Sequence, residues 1–268
     1  MKLTVNGREI PAQVVDENGT PTGYAPVYQV LQAYGIPVRL GGSGEFLLGI
    51  RRFAEALDRP HRYDVTDHHF LIDSPPPVPP LPAEPVGAGV PPWLPVTPVI
   101  ASGPGDRRPE LLEAVLRQFR VAENYRYQPN RQGQDETYCN IYLWDCTRAL
   151  GAEIPHWVNG RGEPAGPARG HELDANATID WLRRLGPTYG WRSVRSAQAA
   201  LERANQGYPV VATWYNPGGI GHVAMVRPGR PDPNRGIPIA QAGAVNGDSM
   251  YLADGFGSRA PIEFWTHD

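Results

Sequence analysis

Cys139 stands in a context that suits nucleophilic catalysis. It lies two residues after Thr137, at the predicted start of a helix over 137–150. Unpaired backbone N–H groups and the positive end of the helix dipole favour a thiolate there, which predicts a cysteine pKa below about 8.5. The same N–H groups can donate to the oxyanion of a tetrahedral intermediate. Cys139 is therefore a candidate nucleophile.

His222 is the candidate general base, because it opens a predicted apolar strand over 222–226 behind a glycine-rich turn. A polar residue at that position can face a helix N-terminus packed across the strand. The group that holds the imidazole tautomer should lie on the neighbouring strand. Gln241 is the polar side chain of the predicted strand over 237–242, and Asn246 is the second candidate.

Each of these residues also has a structural interpretation. A cysteine in a helix is commonly a small buried hydrophobe, and a histidine that opens a strand is commonly a hydrogen-bonded rim residue. Cys146 fits the first description. It lies seven residues after Cys139, about 10.5 Å along the predicted helix axis. A disulfide needs Cα atoms within about 7 Å, so the two cysteines cannot pair with each other.

Composition excludes several classes of protein. The chain has 268 residues, 41% hydrophobic and 20% charged, which is typical of globular rather than disordered proteins and favours two domains. A formal net charge of −3 does not favour nucleic acid as a partner. No apolar run is long enough to insert into a membrane. The N-terminal residues turn polar early, so no signal peptide is expected. No metal-ligand spacing or nucleotide-binding loop is present, so neither a metal nor another cofactor is expected.

The chain divides at its prolines. Residues 1–73 predict a small α+β unit that opens with a hairpin turn at Asn6-Gly7. Its other predicted elements are a strand over 10–15, helices over 27–34 and 46–57, and a strand over 69–72. Residues 74–108 are rich in proline and predict a semi-rigid linker.

Residues 109–268 predict an α+β domain, because helices come first and short antiparallel strands follow. The predicted helices cover 109–119, 137–150, 176–185 and 196–205, and the predicted strands cover 210–214, 222–226, 237–242 and 250–252.

Several other polar residues have simple interpretations. Asp145 and Asp180 lie on predicted helices and are interpreted as solvated or capping charges. The pairs His156-Trp157 and His171-Glu172 flank a Gly/Pro-rich insertion. Loop surface is the simpler interpretation of both pairs, and lining of a cleft is the alternative.

Three short motifs carry a family resemblance. The sequence TYCN at 137–140 opens a helix that ends at Gly151, twelve residues after the cysteine. GHVAMV at 221–226 contains the histidine, and IAQ at 239–241 follows it. Together they resemble the nucleophile helix, histidine strand and orienting residue of CHAP and NlpC-type peptidoglycan hydrolases. The stretch between cysteine and histidine is longer here, through an insertion at 155–190.

The resemblance implies a papain-like, NlpC-type domain in which helices pack on an antiparallel sheet. It implies a cysteine amidase or endopeptidase that cuts an amide bond of bacterial peptidoglycan through an acyl-enzyme, without metal or cofactor. The implied catalytic residues are Cys139, His222 and Gln241, and the implied substrate-binding residues are Tyr138, Asn140 and Trp214. Such an enzyme acts at the bacterial cell wall, which a chain without a signal peptide would reach through cell lysis or a dedicated secretion route.

The first unit is similar to the copper amine oxidase N-terminal-like stalk module. The similar segments are LTVNG at 3–7 and YAPV at 24–27, which leads into a predicted helix ending in AYG at 33–35. The resemblance implies a targeting or spacing module with no copper chemistry. For the whole chain, the alternatives are a non-catalytic cell-wall-binding protein, a cysteine protease or acyltransferase acting on protein, and a structural tail or spore component.

Overall fold

The computed structural model divides the chain into two compact units, Met1–Pro77 and Val78–Asp268. The residues that it describes are 2–5, 8–11, 13–17, 20–26, 47–49, 61–64, 69–72, 77–131 and 136–268.

The described residues of the first unit form seven strands: β1 (Lys2–Val5), β2 (Arg8–Pro11), β3 (Gln13–Glu17), β4 (Thr20–Pro26), β5 (Leu47–Gly49), β6 (His61–Asp64) and β7 (His69–Ile72). A four-stranded sheet has the order β2-β1-β7-β6, and a three-stranded sheet has the order β3-β4-β5. β1 pairs antiparallel with β2 and parallel with β7.

Sequence patterns anticipate part of this unit. β1 and β2 are antiparallel partners on either side of Asn6-Gly7, and β7 matches the predicted strand over 69–72. The single strand predicted over 10–15 is instead divided between β2 and β3. The predicted helix over 27–34 lies outside the described residues. Within 46–57 the described residues form β5, which pairs with β4, so the predicted helix is wrong there because sheet pairing overrides the helical period.

The second unit combines helices with an antiparallel sheet, which confirms the predicted α+β class. Its helices are α1 (Pro109–Arg117), α2 (Cys139–Ala149), α3 (Ala175–Arg184), α4 (Ala197–Asn205) and α5 (Leu252–Phe256). Its strands are β8 (Trp157–Val158), β9 (His171–Glu172), β10 (Arg192–Val194), β11 (Val210–Trp214), β12 (His222–Val226), β13 (Pro238–Gln241), β14 (Gly247–Tyr251) and β15 (Glu263–Thr266).

Six of these strands form one sheet in the order β10-β15-β11-β12-β13-β14, and every neighbouring pair is antiparallel. β8 and β9 form a separate two-stranded pair. The strands β8, β9, β10 and β15 were not predicted, because each has at most four residues and gains its partner from a distant part of the chain.

Apolar runs at the centre of the sheet position the helices. Val210, Val211 and Ala212 of β11 and Val223 to Val226 of β12 are almost completely buried, so both faces of these strands are covered. α2 packs against β12 and β13, and α3 and α4 pack against β11 and β12. Because α2 lies on β12, the helix that begins with Cys139 meets the strand that begins with His222.

The proline-rich segment belongs to the second unit from Val78 onward. Val86, Val96 and Ile100 are 6%, 4% and 1% exposed and form part of the core. The Gln118 side chain accepts the backbone N–H of Ile100 at 2.8 Å and donates to its carbonyl at 2.7 Å. Over this range the segment is packed rather than a spacer, because apolar side chains between the prolines are buried against α1 and α2.

A buried ion pair ties that segment to α2. The Arg126 guanidinium bonds both carboxylate oxygens of Asp145, at 2.7 and 3.1 Å, and the Tyr127 hydroxyl donates to the same carboxylate at 2.8 Å. Arg126 also donates to the carbonyls of Val90, Pro91, Pro92 and Leu94 at 2.7–3.2 Å. The interpretation of Asp145 as a solvated charge is therefore wrong, because its carboxylate is the buried counter-charge of an arginine.

Asp180 on α3 is a contrasting case. Its carboxylate lies 3.3 Å from Arg183, and the two side chains are 45% and 37% exposed, against 0% for both Asp145 and Arg126. The interpretation of Asp180 as a solvated charge is confirmed.

Replacing Asp145 by Asn keeps the side-chain size but leaves the buried Arg126 without its counter-charge. We expect Asp145→Asn to lose about 3–5 kcal/mol of the free energy of unfolding, measured by urea denaturation at neutral pH. The matched control is Asp180→Asn, which removes a pair worth less than about 1 kcal/mol. Equal losses in the two variants would contradict this account of the ion pair.

Candidate active site

Cys139 is the first residue of α2, where the helix leaves its first backbone N–H groups without intrahelical partners. The N-cap is Tyr138, whose side chain makes no capping bond, so the helix begins two residues later than predicted. The Thr137 hydroxyl bonds the Cys139 thiol and does not cap the helix. The backbone N–H of Val223 also bonds the thiol, which places the sulfur beside the residue that follows His222.

Burial raises the pKa of the Cys139 thiol, while the bonds from Val223, Asn140, its own backbone and Thr137 act in the opposite direction. The expectation of a lowered pKa is therefore wrong: Cys139 is only 3% exposed, and desolvation outweighs the N–H groups at the helix start. Cys139 is therefore a neutral thiol at neutral pH. Cys146 is fully buried, is not in a disulfide, and has a pKa well above its ordinary value.

The His222 and Gln241 side chains form a direct hydrogen bond. His222 Nε2 lies 2.7 Å from Gln241 Oε1, and Gln241 Nε2 donates to the Val245 carbonyl at 3.0 Å. The second bond orients the amide so that its oxygen, which can only accept, faces the imidazole. His222 Nε2 therefore carries the hydrogen and Nδ1 carries the lone pair. That tautomer leaves Nδ1 able to accept a proton.

Burial lowers the pKa of His222, as does the charge of Arg259, while the bond to Gln241 acts in the opposite direction. The Phe256 ring lies 4.9 Å from the imidazole, centroid to centroid, and forms part of this apolar environment. A lowered pKa keeps the imidazole neutral at neutral pH. A neutral imidazole is the form that can act as a general base.

Two glycines make room for this arrangement. A Cβ atom at Gly255 would lie 2.1 Å from Gln241 Oε1, so any side chain there would displace the orienting amide. A Cβ atom at Gly221 would lie 2.4 Å from Asn176 Oδ1. The Asn176 amide bonds the carbonyls of Asn216 and Gly219 at 2.9 and 2.8 Å, and so holds the turn that leads into His222.

Asn246, the second candidate for the orienting group, is bonded elsewhere. Its amide nitrogen donates to the Tyr127 carbonyl at 2.7 Å, and its oxygen accepts the Gly243 N–H at 2.9 Å. Both contacts are to backbone atoms. Between the two candidates, Gln241 is the one that bonds the imidazole.

A cavity of about 310 Å³ opens at the start of α2. Its described lining consists of Pro92, Trp93, Glu136, Thr137, Tyr138, Cys139, Asn140, Ile141, His156, Glu172, Asp174, Ala175 and Ile220. The implied substrate-binding residues Tyr138 and Asn140 are thus beside the thiol. Trp214 is not in this lining: it pairs with His222 across β11 and β12, and the Arg259 guanidinium lies over its ring at 5.1 Å. Cys139 is thus part of the described cavity lining, and His222 is not.

The pair β8–β9 brings two further polar residues to the cavity. Trp157 pairs with Glu172, and the Leu173 N–H donates to the His156 carbonyl at 2.8 Å. Asn140 Nδ2 donates to the Leu173 carbonyl at 2.9 Å, so the residue after Cys139 holds this hairpin in place. His156 is 2% exposed.

Loop surface, the simpler interpretation of these pairs, is thus wrong for His156, because pairing of the two ends of the insertion buries it. It holds for His171, which is exposed. The sequence did contain a signal for this pairing: a histidine-containing pair stands at each end of the insertion, where the two strands of a hairpin would lie.

No protein-family model matches the chain, and no curated protein resembles it at a significant level. Among the described residues, no helix is long and apolar enough to cross a membrane. That same part of the chain contains no group of three side chains placed to bind a metal ion.

The raised pKa of Cys139 predicts slow alkylation at neutral pH. We expect its rate with iodoacetamide to rise with pH to beyond about 8.5, because only the thiolate reacts and the thiol must first lose its proton. Cys146 should stay unmodified until the chain unfolds. Mass spectrometry of the two cysteine peptides against pH measures both rates, and a Cys139 rate that levels off below neutral pH would contradict the neutral thiol.

The bond to Gln241 predicts the Nε2–H tautomer of His222. In ¹⁵N spectra of selectively labelled histidine, we expect a protonated Nε2 and an unprotonated Nδ1 at neutral pH in the wild-type protein. Gln241→Leu removes the acceptor and should redistribute the two tautomers. Asn246→Ala is the control, since its amide bonds only backbone atoms, and should leave the His222 signals unchanged. The same tautomer in Gln241→Leu as in wild type would overturn the assignment.

Proposed function

We propose that the second unit is a cysteine amidohydrolase with Cys139 as nucleophile, His222 as general base and Gln241 as the orienting residue. The single observation that carries the proposal is the hydrogen bond from His222 Nε2 to Gln241 Oε1. This bond leaves the lone pair of His222 Nδ1 free. Val223, the next residue of the same strand, bonds the Cys139 thiol. A histidine fixed in this tautomer, on a strand that packs against a helix beginning with cysteine, is what the proposed thiol activation requires.

The chemistry follows from the two neutral groups. Because Cys139 rests as a thiol, His222 Nδ1 takes its proton as the sulfur attacks the amide carbonyl carbon. Backbone N–H groups at the start of α2 would stabilise the resulting oxyanion. The C–N bond then breaks, the imidazolium returns the proton to the leaving amine, and a thioester remains. Water, deprotonated by His222, attacks the thioester, and the acid and the free thiol are released.

The proposed substrate is an amide bond of bacterial peptidoglycan. The support is the resemblance of the segments 137–151, 221–226 and 239–241 to the peptidoglycan hydrolases, together with an open cavity at the thiol. The cavity carries an indole, Trp93, that is 50% exposed and could stack on a sugar or peptide. On the same basis, the protein would act at the bacterial cell wall, with the first unit as a targeting or spacing module.

We expect the wild-type protein to clear a suspension of purified peptidoglycan and to release new amines. Cys139→Ala should lower the rate by about a thousandfold or more, because the nucleophile is lost. Cys146→Ala is the matched control: it removes the other thiol of α2 and should retain activity once its folding has been checked. Turbidity and amine release measure all three proteins.

The outcomes separate the alternatives. Equal activity of the wild type and Cys139→Ala would contradict the Cys–His mechanism. Binding to the same material without any release of amines, in wild type and variant alike, would indicate a wall-binding protein. Cleavage of casein by the wild type, with intact peptidoglycan, would indicate an enzyme acting on protein.

A further inference from the structure

The cavity at Cys139 has an acidic lining that the proposed mechanism does not use. Glu136, Glu172 and Asp174 line it, and none of its other described lining residues is Arg or Lys. Arg131 lies over the Tyr138 ring at 4.2 Å but is not part of the lining. A cleft with charges of one sign attracts ligands of the opposite sign.

Two of these carboxylates already have structural contacts. Asp174 caps α3 by accepting the Ala177 N–H at 2.8 Å, and the Tyr138 hydroxyl lies 3.4 Å from Glu136. Glu172 differs because its side chain is 53% exposed while its neighbours hold it in place. The nearby His156 ring lowers the pKa of this carboxyl, burial acts in the opposite direction, and Asn140 adds a stabilising bond. Glu172 is therefore an anion at neutral pH that faces open space.

His156 is a second and independent sign of a binding site. Its ring is completely buried, stacked on Trp144 at 5.0 Å and edge-on to Trp157 at 5.1 Å. Among the described residues, neither ring nitrogen has a partner in hydrogen-bond geometry, although Nε2 lies 3.3 Å from Glu172 Oε1. His156 Nδ1 has no hydrogen bond within the part of the chain that the structure describes, and an unsatisfied buried polar group costs about 1–3 kcal/mol. Its position in the wall of this cavity suggests that a bound polar ligand completes its environment.

The rim of the cavity offers apolar contacts next to the carboxylate. Trp93 and Ile220 are 50% and 65% exposed. Trp93 is fixed in place, because its carbonyl accepts the Trp157 indole N–H at 3.1 Å and Arg126 bonds the carbonyls of both its neighbours. These contacts hold the Trp93 backbone, and its exposed indole can pack against a hydrocarbon stem and attract a cation through its ring face.

We propose that this cavity binds a primary ammonium group of the substrate, with Glu172 as its counter-charge, His156 and Asn140 as the residues that position Glu172, and Trp93 against the hydrocarbon stem. The inference rests on the proposed function, since the ammonium group belongs to the substrate whose amide bond Cys139 attacks. The group could be the α-amine of a peptide or the side-chain amine of a diamino acid. The shared chemistry is an amine within a few bonds of the scissile amide.

Binding tests the proposal without turnover. The protein is the full chain with Cys139→Ala, and the probe is a synthetic peptidoglycan stem tetrapeptide that carries an α-amine and a side-chain amine. Calorimetry compares it with three forms: acetylated on the α-amine, on the side-chain amine, or on both. We expect the doubly acetylated peptide to bind about tenfold to a hundredfold more weakly, as for a lost charged hydrogen bond. The two singly acetylated peptides then identify which amine is recognised.

Variants assign the effect to Glu172. In the Cys139→Ala background, Glu172→Gln should weaken the free peptide to the affinity of the acetylated one and leave the acetylated peptide unchanged. Glu202→Gln, the same change of charge at an exposed position of α4 outside the cavity, should change neither. Thermal melting checks that both variants fold. The comparison of the four peptides on the Cys139→Ala protein does not depend on either variant.

The two proposals fail in different ways. Equal affinity for the free and doubly acetylated peptides, or no binding of any form, overturns the ammonium site, whatever the lysis assay shows. Preference for the free amine combined with an absence of peptidoglycan cleavage supports the ammonium site and contradicts the proposed function.

Discussion

The buried contact between Arg126 and Asp145 fixes the surroundings on which the site depends. Removing two charges from water is costly, and only close geometry with further hydrogen bonds offsets that cost. Here the carboxylate comes from α2 and the carbonyl partners come from residues 90–94. A pair of this kind adds little net stability over apolar packing. Any other conformation that left one of the two charges buried alone would be strongly disfavoured. It therefore positions helix α2 and the Trp93 wall of the cavity together.

The electrostatics of the site favour neutral groups at rest. Gln241 is uncharged, so it orients His222 without stabilising an imidazolium as a carboxylate would. Burial favours the neutral form of both groups: it raises the pKa of the thiol and lowers the pKa of the imidazole. A resting thiolate–imidazolium pair is thereby disfavoured, so in the proposed mechanism proton transfer accompanies attack on the carbonyl. The helix start then matters more for the oxyanion than for the thiol.

What the sequence could predict were features set by neighbouring residues. A cysteine at a helix start, a histidine at a strand start and the α+β order of elements all follow from local periodicity. What it could not predict were features set by distant residues. The burial of Asp145 depends on Arg126, nineteen positions away, and that of His156 on the pairing of β8 with β9 across the insertion. The sign of the Cys139 pKa shift was missed for the same reason, since desolvation comes from the sheet packed over the helix.

The insertion is also tied to the proposed active site through the first turn of α2. Cys139 and Asn140 are adjacent, yet the first bonds the backbone of β12 and the second bonds the backbone that follows β9. β12 and the β8–β9 hairpin are thus both anchored on α2, through two consecutive residues. Glu172 belongs to this hairpin, whereas Cys139 belongs to α2 and His222 to the central sheet, so replacing hairpin side chains would alter the proposed substrate contact and leave the proposed catalytic residues in place. A fold arranged in this way can change its specificity without rebuilding its chemistry.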